Sequence, residues 1–306
     1  MGSFYLPSDL NKEDELLHPP TDELKWRESY YFNWLDLDNK ISGFSTIGIV
    51  PNENRREFVF LLFLEDRNEV YYKEPPLQEY DANINVMLKS KNLSYKLIEP
   101  FKKWEISYKS RKIQFDVTFE TRFPTFNFGK DSSKSWHQHF ESSGKITGKL
   151  LKKDGENIHI RGYGQRDKSW GFRDWHQFDK WYAGHFQFED WSCAFRKDYS
   201  VDRIDLSGHI STKQGNISII NMDIDTQVDS DNFKSPLITN YKFTDATGAS
   251  YIVKAERFGR NSYIRFVRSF LGGYTELFEQ MATVENLNTG EIGVGMMEHL
   301  RTHKLE

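Results

Sequence analysis

Short runs of aromatic and β-branched residues, separated by clusters of Asn, Asp, Gly and Pro, extend along this chain from residue 27 to residue 301. Almost none of these runs places its apolar residues at the spacing of three and four positions that marks an amphipathic helix. Regularly spaced runs of this kind are typical of antiparallel strands joined by tight turns. The pattern therefore predicts an all-β protein built as a barrel or a sandwich.

The predicted strands form two groups of about eight, and eight strands are enough to close a barrel around one small ligand. Hairpin turns are predicted at four Gly-containing positions: 153–156, 213–216, 246–249 and 287–290. Residues 1–24 combine several Pro with many charges and are predicted to form an N-terminal arm. We therefore predict two consecutive antiparallel β-barrels packed together, the first over residues 25–176 and the second over residues 177–306.

The composition is unusual in its aromatic content, which reaches 15% of the 306 residues. The net charge of −4 favours neither nucleic acid nor an anionic membrane as a partner. A single cysteine, Cys193, cannot form an internal disulfide, which favours a reducing, cytoplasmic location. Residues 1–20 lack the apolar core of a secretory signal peptide, and no apolar run is long enough to be a transmembrane segment.

One segment, residues 162–175, concentrates Gly, Trp and charged residues. Its glycines predict a strand that bends at a barrel corner, because Gly in a strand marks a bend or a close approach. On a strand, Asp167 shares one face with the other odd-numbered residues, and Arg166 and Lys168 share the opposite face. If the odd-numbered face lines the barrel, burial among aromatic residues would raise the pKa of Asp167 and let its neutral carboxyl protonate a substrate.

Asp167 also has a purely structural interpretation. Arg166, Arg173 and Asp174 are close to it in sequence, so Asp167 could belong to a salt-bridge cluster that stabilises the corner. Both interpretations stay open on the residues alone.

The alternating residues His137, His139 and Glu141 form a second candidate site, because alternate residues share one face of a strand. Such a row could bind a metal if another strand supplied a further ligand. Alternating polar residues are also the ordinary pattern of a solvated strand face, and no clear third histidine accompanies the row. We therefore predict no metal and no other cofactor, and we favour a proton relay from His139 to Asp167.

Five of the eight Trp lie between residues 136 and 191, which suggests an aromatic substrate cavity. Four of them are the predicted lining residues: Trp136, Trp170, Trp175 and Trp181. Core packing is the alternative role for each. Glu28 and Glu298 lie in apolar strands and would either face such a cavity or lie at the surface. The sequence has no dinucleotide-binding fingerprint, phosphate-binding loop, zinc-protease motif or serine-hydrolase elbow.

The stretch from Arg166 to Trp175 resembles a signature of the lipocalin-like superfamily of carotenoid hydratases, the hydroxyneurosporene synthases, and their relatives. The signature Gly-x-Gly-x-x-Asp-x-x-Trp-Gly is matched by these residues: Gly162, Gly164, Asp167, Trp170 and Gly171. Arg166, Arg173 and Asp174 belong to the same stretch. The resemblance extends over most of residues 24–300. It implies two consecutive lipocalin-like or calycin-like barrels with a site for an apolar ligand.

In the hydratases, the signature aspartate is the proposed proton donor to an alkene, assisted by an upstream histidine and by aromatic residues. The resemblance therefore implies that Asp167 donates the proton and that His139 and Tyr163 assist it. The sequence departs from the hydratases after His139, where Phe140 and Glu141 follow in place of an expected Trp. Other enzymes of this lipocalin-like group guide pericyclic cyclisations by shape.

The chain is thus predicted to act on an apolar terpenoid or polyene-like substrate by hydration, dehydration, isomerisation or cyclisation, started by Asp167. Protonating an alkene produces a cation, which each Trp or Tyr face would stabilise by about 0.5–2 kcal/mol. The alternative is a non-catalytic carrier of a hydrophobic small molecule. Either protein could meet a lipophilic ligand at a membrane surface without spanning it, and the sequence predicts no oligomeric state.

Overall fold

The computed structural model describes residue 6 and residues 9–77, 88–129 and 136–304. Within these ranges the chain forms twenty strands and three short 3-10 helices, at Lys12–Glu15, Pro51–Glu53 and Trp175–Gln177. The prediction of an all-β protein is confirmed. The chain divides into a first unit, Ser8–Arg173, and a second unit that contains Asp174–Glu306. No helix in the described part of the chain has the length and apolarity needed to cross a membrane.

The described part of the first unit contains eleven strands in one antiparallel sheet: β1 (Trp26–Asp36), β2 (Ile41–Val50), β3 (Arg55–Phe63), β4 (Asn68–Lys73), β5 (Leu88–Lys89), β6 (Leu93–Glu99), β7 (Lys103–Lys109), β8 (Ile113–Thr121), β9 (Phe126–Gly129), β10 (Gln138–Lys152) and β11 (Asn157–Phe172). The strand order is β4-β3-β2-β1-β11-β10-β8-β7-β6-β5, and β9 pairs with β10. The sheet curls until its ends approach, since the Tyr71 hydroxyl of β4 lies 3.0 Å from the Ser90 hydroxyl that follows β5.

Large aromatic side chains fill the inside of this first barrel. Tyr30, Phe32 and Trp34 alternate along β1 and point inward, where they meet Trp104 and Phe115 from the opposite wall. All five are almost completely buried. Burial of one such side chain contributes about 1.5–3 kcal/mol. Much of the aromatic content of the chain therefore stabilises this core.

The second unit contains nine described strands: β12 (Lys180–Gln187), β13 (Ser192–Ser200), β14 (Arg203–Thr212), β15 (Gly215–Asp229), β16 (Ser235–Asp245), β17 (Ser250–Arg257), β18 (Tyr263–Phe270), β19 (Gly273–Asn286) and β20 (Glu291–Lys304). Residues 253–257 of β17 pair with residues 282–286 of β19 and close a ring of eight strands, and β18 pairs with the remainder of β19. The prediction of two antiparallel barrels is confirmed by the curled first sheet and the closed second one. The four predicted hairpin turns join consecutive strands.

Two of the signature glycines of β11, Gly162 and Gly164, lie where this strand closely approaches β1. A Cβ atom on Gly162 would lie 2.1 Å from the carbonyl oxygen of Leu35, and one on Gly164 would lie 2.0 Å from that of Asn33. Gly171 adopts a φ of +127°, which other residues rarely adopt. The three positions therefore require glycine for backbone reasons, independently of any chemistry.

We expect Gly164→Ala to lower the free energy of unfolding by about 1–3 kcal/mol, because the methyl group would force β11 away from β1. Urea titration of the purified variant measures this loss. Lys145→Ala, at an exposed position of the neighbouring β10, is the matched control and should unfold like the wild type. A Gly164→Ala protein as stable as this control would contradict the close approach of the two strands.

Candidate functional site

Strand β11 directs Arg166 and Lys168 into the first barrel and directs Asp167 to the opposite side of the sheet. Arg166 lies opposite Phe32 of β1, and Lys168 lies opposite Tyr30. Phe32 and Tyr30 belong to the barrel core. Arg166 is 1% exposed and Lys168 is 0% exposed, whereas Asp167 is partly exposed. The carboxyl group of Asp167 is therefore not part of the barrel interior. The odd-numbered face of β11 does not line the barrel, so Asp167 is not buried among the interior aromatic residues.

Asp167 lies in a row of polar residues on the outer side of the sheet. Its direct cross-strand neighbours are Tyr31 on β1 and Glu141 on β10. Asn33, Gln165 and His139 lie on the same side of the sheet as these three residues, because side chains alternate along each strand. We call this set the Asp167 face, and its members are Tyr31, Asn33, His139, Glu141, Gln165 and Asp167.

Glu141 is the centre of the hydrogen bonds on the Asp167 face. Gln165 Nε2 donates to Glu141 Oε2 at 2.5 Å, and His139 Nε2 lies 3.3 Å from Glu141 Oε1. The Gln165 amide is oriented in turn by Asn33, which donates from Nδ2 to Gln165 Oε1 at 3.3 Å and accepts the Gln165 N–H at 2.8 Å. Both oxygens of the Glu141 carboxylate thus face nitrogen atoms.

Aromatic rings fix the orientation of His139. Its imidazole stacks on Phe128 with ring centroids 4.8 Å apart and contacts the edge of Trp136 at 4.7 Å. The His139 and Glu141 side chains are both largely buried, at 11% and 12% exposed, and Asp167 is partly exposed. The site is therefore largely enclosed.

The first barrel encloses a second set of charges in its interior. Arg166 forms a two-pronged ion pair with Glu15, and Lys168 forms an ion pair with Glu28. His18 contributes to the second pair, because its backbone N–H and its Nδ1 lie 2.9 and 2.8 Å from the Glu28 carboxylate. Burial alone would raise the pKa of Glu28, but Lys168 and His18 hold it below its usual value. Burial lowers the pKa of Lys168 in spite of the charge of Glu28.

The predicted lining residues of the first unit fall on different sides of the sheet. Trp136 contacts His139, whereas Trp170 stacks on His18 at 3.7 Å and lies beside Lys168. Glu28 is part of the interior ion pair. Tyr163 lies on the same side of the sheet as Asp167 but four residues earlier in β11, and the Arg122 guanidinium lies 4.0 Å from its ring.

The remaining predicted lining residues belong to the second unit. Trp175 and Trp181 pack edge to face at 5.9 Å, and Trp181 Nε1 donates to Glu298 Oε1 at 2.6 Å. Trp181 forms an apolar cluster with Phe178 and Leu277, so both Trp contribute to packing within that unit.

The residues considered for a structural cluster around Asp167 are placed as follows. Arg166 pairs with Glu15 inside the barrel, and Arg173 bonds the Ser169 hydroxyl. Asp174 is the N-cap of the 3-10 helix Trp175–Gln177. The interpretation in which Arg166 pairs with Asp167 is therefore wrong.

The predicted row of His137, His139 and Glu141 is split, because β10 begins only at Gln138. His137 Nε2 lies 3.6 Å from Glu23, and its ring contacts the edge of Trp26. Among the described residues, no group of three His, Cys, Asp or Glu side chains is arranged to hold a metal ion.

Sequence reasoning missed the roles of Asn33, Gln165 and Glu141 around Asp167. The turn predicted at 153–156 was only a partial signal, because the pairing depends on the exact centre of the turn. The observed pairs are symmetric about Asp154, which places Glu141 beside Asp167, whereas symmetry about the middle of 153–156 would place Glu141 opposite Lys168. The pairing of Glu15 with Arg166 has no comparable local signal.

Solved structures with the same fold support the lipocalin-like architecture. The putative AttH protein NE1406 of Nitrosomonas europaea has a TM-score of 0.69 and 11% identity, with 94% of this chain and 95% of that one covered. CghA, crystallised with Sch210972, has a TM-score of 0.67 and 10% identity over 92% and 89% of the two chains. Kievitone hydratase of Nectria haematococca has a TM-score of 0.60 and 11% identity over 92% and 90%.

These identities are low, so the similarity concerns the fold. No curated protein sequence matches this chain significantly. A family model, in contrast, matches residues 11–303, which is nearly the whole chain. The chain therefore belongs to the family described as Domain of unknown function (DUF7064).

Proposed function

We propose that this chain is an enzyme that adds water to, or removes it from, a small organic molecule by acid–base catalysis at the Asp167 face. The observation that carries this proposal is the direct cross-strand placement of Asp167 and Glu141, with Gln165 and His139 against Glu141. General acid–base catalysis requires one group that gives a proton and one that takes it. A hydratase among the proteins of the same fold supports water as the co-substrate.

The contacts of Glu141 support different roles for the two carboxyl groups. Directly opposed residues of an antiparallel pair have Cβ atoms about 4.5–5.5 Å apart, so two charged carboxylates at these positions repel each other. Glu141 is held as the carboxylate by the Gln165 amide and His139. We assign the acid role to Asp167, in line with the signature that it matches, and the base role, activation of water, to Glu141.

His139 links this pair to further proton transfer. Its Nε2 faces Glu141, and the rings of Phe128 and Trp136 prevent the imidazole from turning away. After Glu141 has accepted a proton from water, His139 takes it up and releases it to solvent, and Asp167 regains a proton from solvent, so both carboxyl groups return to their starting forms. Asn33 and Gln165 are positioning residues in this scheme, because they orient the base.

An unsaturated, largely apolar substrate of the terpenoid or polyene type fits this chemistry best. Protonation of a carbon–carbon double bond by Asp167 yields a cation, and aromatic faces stabilise such a charge by about 0.5–2 kcal/mol each. Tyr31 lies directly opposite Asp167, and its ring contacts Phe44 at 5.8 Å. Isomerisation and cyclisation begin with the same protonation and differ only in what quenches the cation.

We expect Asp167→Asn to reduce turnover about 100- to 10,000-fold with little change in KM, because the amide has the size of the acid but cannot donate its proton. A panel of prenylated phenols and linear polyenes, incubated in water enriched in heavy oxygen, reports hydration as products that carry the isotope. Glu141→Gln should show a loss of similar size. Asp116→Asn, at a partly exposed strand position of the same unit, is the matched control.

Full activity of a folded Asp167→Asn protein would contradict the assignment of Asp167 as the acid. A non-catalytic carrier predicts a different result: panel compounds would bind equally to the wild type and to Asp167→Asn, and none would be converted.

A further inference from the structure

We infer that the interior of the first barrel contains a binding site for an apolar monocarboxylic acid, and that Glu15 of the N-terminal segment occupies it in this structure. We call residues 9–23 the N-terminal strap. This site lies on the opposite side of the sheet from the Asp167 face, and it does not depend on the function proposed above.

Among the described residues of the barrel wall, Arg166 is the buried cation whose charge is neutralised by a residue outside the sheet. Lys168 on β11 pairs with Glu28 on the adjacent β1, so both members of this pair belong to the wall. Arg166, which is equally buried, takes its carboxylate from Glu15 of the strap. A buried unpaired cation is strongly destabilising, so the wall without the strap requires one negative charge at Arg166.

The contacts of Glu15 have the geometry of carboxylate recognition. Arg166 Nη1 donates to Glu15 Oε1 at 2.8 Å, and Nη2 donates to Oε2. A third donor is the backbone N–H of Phe101, 2.7 Å from Oε1. The guanidinium lies 5.3 and 5.1 Å from the rings of Trp104 and Phe140. A planar fork with a further N–H donor, set among aromatic rings, is a typical receptor for a carboxylate on an apolar body.

The strap is attached to the barrel mainly through side chains. Two of its backbone hydrogen bonds are internal, from Asp14 N–H to the Asn11 oxygen and from Leu16 N–H to the Glu13 oxygen, and one at its end joins it to β1, from Trp26 N–H to the Glu23 oxygen. The Asn52 side chain binds the carbonyl oxygens of Thr21 and Glu23. A segment held in this way opens at a lower free-energy cost than the sheet itself.

The residues after Glu15 indicate what the ligand carries besides its carboxylate. Leu16 and Leu17 are partly buried and pack against the aromatic core of the barrel. A fatty or aryl carboxylic acid would replace both the Glu15 carboxylate and these leucine side chains. One negative charge suffices, because Glu28 already neutralises Lys168.

Decanoate is a suitable probe, and decanol is its uncharged control. In the full-length wild type, decanoate should raise the hydrogen-exchange rate of residues 11–18 saturably, because it displaces the strap, and decanol should not. Glu15→Gln removes the competing carboxylate and should bind decanoate about tenfold more tightly than Glu13→Gln, which changes an exposed residue of the same 3-10 helix. Asp167→Asn should leave this binding unchanged.

Equal decanoate affinity of Glu15→Gln and Glu13→Gln would overturn the inference, and so would equal effects of decanol and decanoate. If Glu15→Gln does not fold, the wild-type exchange experiment decides: a strap whose exchange is unaffected by saturating decanoate refutes the site.

Discussion

Replacement of Arg166 by Met should lower the free energy of unfolding of the first barrel by about 3–5 kcal/mol, because the Glu15 carboxylate would remain buried without its partner. Arg166 and Glu15 are 1% and 0% exposed, so water cannot compensate for the missing guanidinium. The Phe101 N–H would be the remaining donor to the carboxylate. Urea titration monitored by tryptophan fluorescence measures the loss, since Trp104 lies beside the guanidinium.

The double variant Glu15→Gln/Arg166→Met separates the cost of an unpaired charge from the cost of lost packing. It buries no charge at this position, so it should recover most of the stability lost in Arg166→Met. Lys96→Met is a surface control, because Lys96 lies 3.7 Å from Glu105 and both are half exposed. That change should cost less than about 1 kcal/mol. An Arg166→Met protein as stable as Lys96→Met would show that the interior ion pair is not formed.

The second barrel should lose stability between pH 7 and pH 5 because of His299. Burial, reinforced by the nearby charge of Arg301, lowers the pKa of His299 from 6.5 to about 3. In the unfolded chain this histidine binds a proton near pH 6.5, whereas in the folded barrel it stays neutral. The unfolded state therefore takes up the proton first as the pH falls, and the loss at pH 5 amounts to about 2 kcal/mol.

His299→Gln should reduce the loss of stability between pH 7 and pH 5 by about 2 kcal/mol, because the amide does not titrate. Urea titrations of the wild type and the variant at pH 7 and pH 5 test it. His159→Gln, at an exposed position, is the control and should keep the wild-type dependence. Glu28 and Glu276 do not interfere in this range. Although burial alone would raise their pKa values, neighbouring cations hold both below the usual carboxyl value, so their contributions are lost only at more acidic pH.

The strands and turns could be predicted from the sequence because they depend on local patterns. The run that begins at Arg27 forms β1, and the Asp154–Gly155 turn joins β10 to β11. Which side of β11 faces the core could not be predicted in the same way. Nearly every residue of β1 is buried, so alternation along β1 gives no contrast between inside and outside.

The interior charges were beyond prediction for a different reason. Glu15 and Arg166 are 151 positions apart, and their pairing depends on where the strap crosses the barrel. Glu15 is preceded by three other charged residues and resembles any acidic residue of a polar arm. Its burial follows only from the tertiary structure, in which two neighbouring leucines reach the core.

The hairpin of β10 and β11 has a consequence for how proteins of this kind can diversify. Its residues pair without interruption from Gln138–Trp170 to Leu151–Asn157, and β11 carries the interior cations on one side and Asp167 on the other. Insertion of a single residue in this hairpin would shift the register and exchange the two sides, moving Asp167 into the core and Arg166 out of it. New specificities are therefore expected to arise by substitution within these two strands, while the length of the hairpin stays constant.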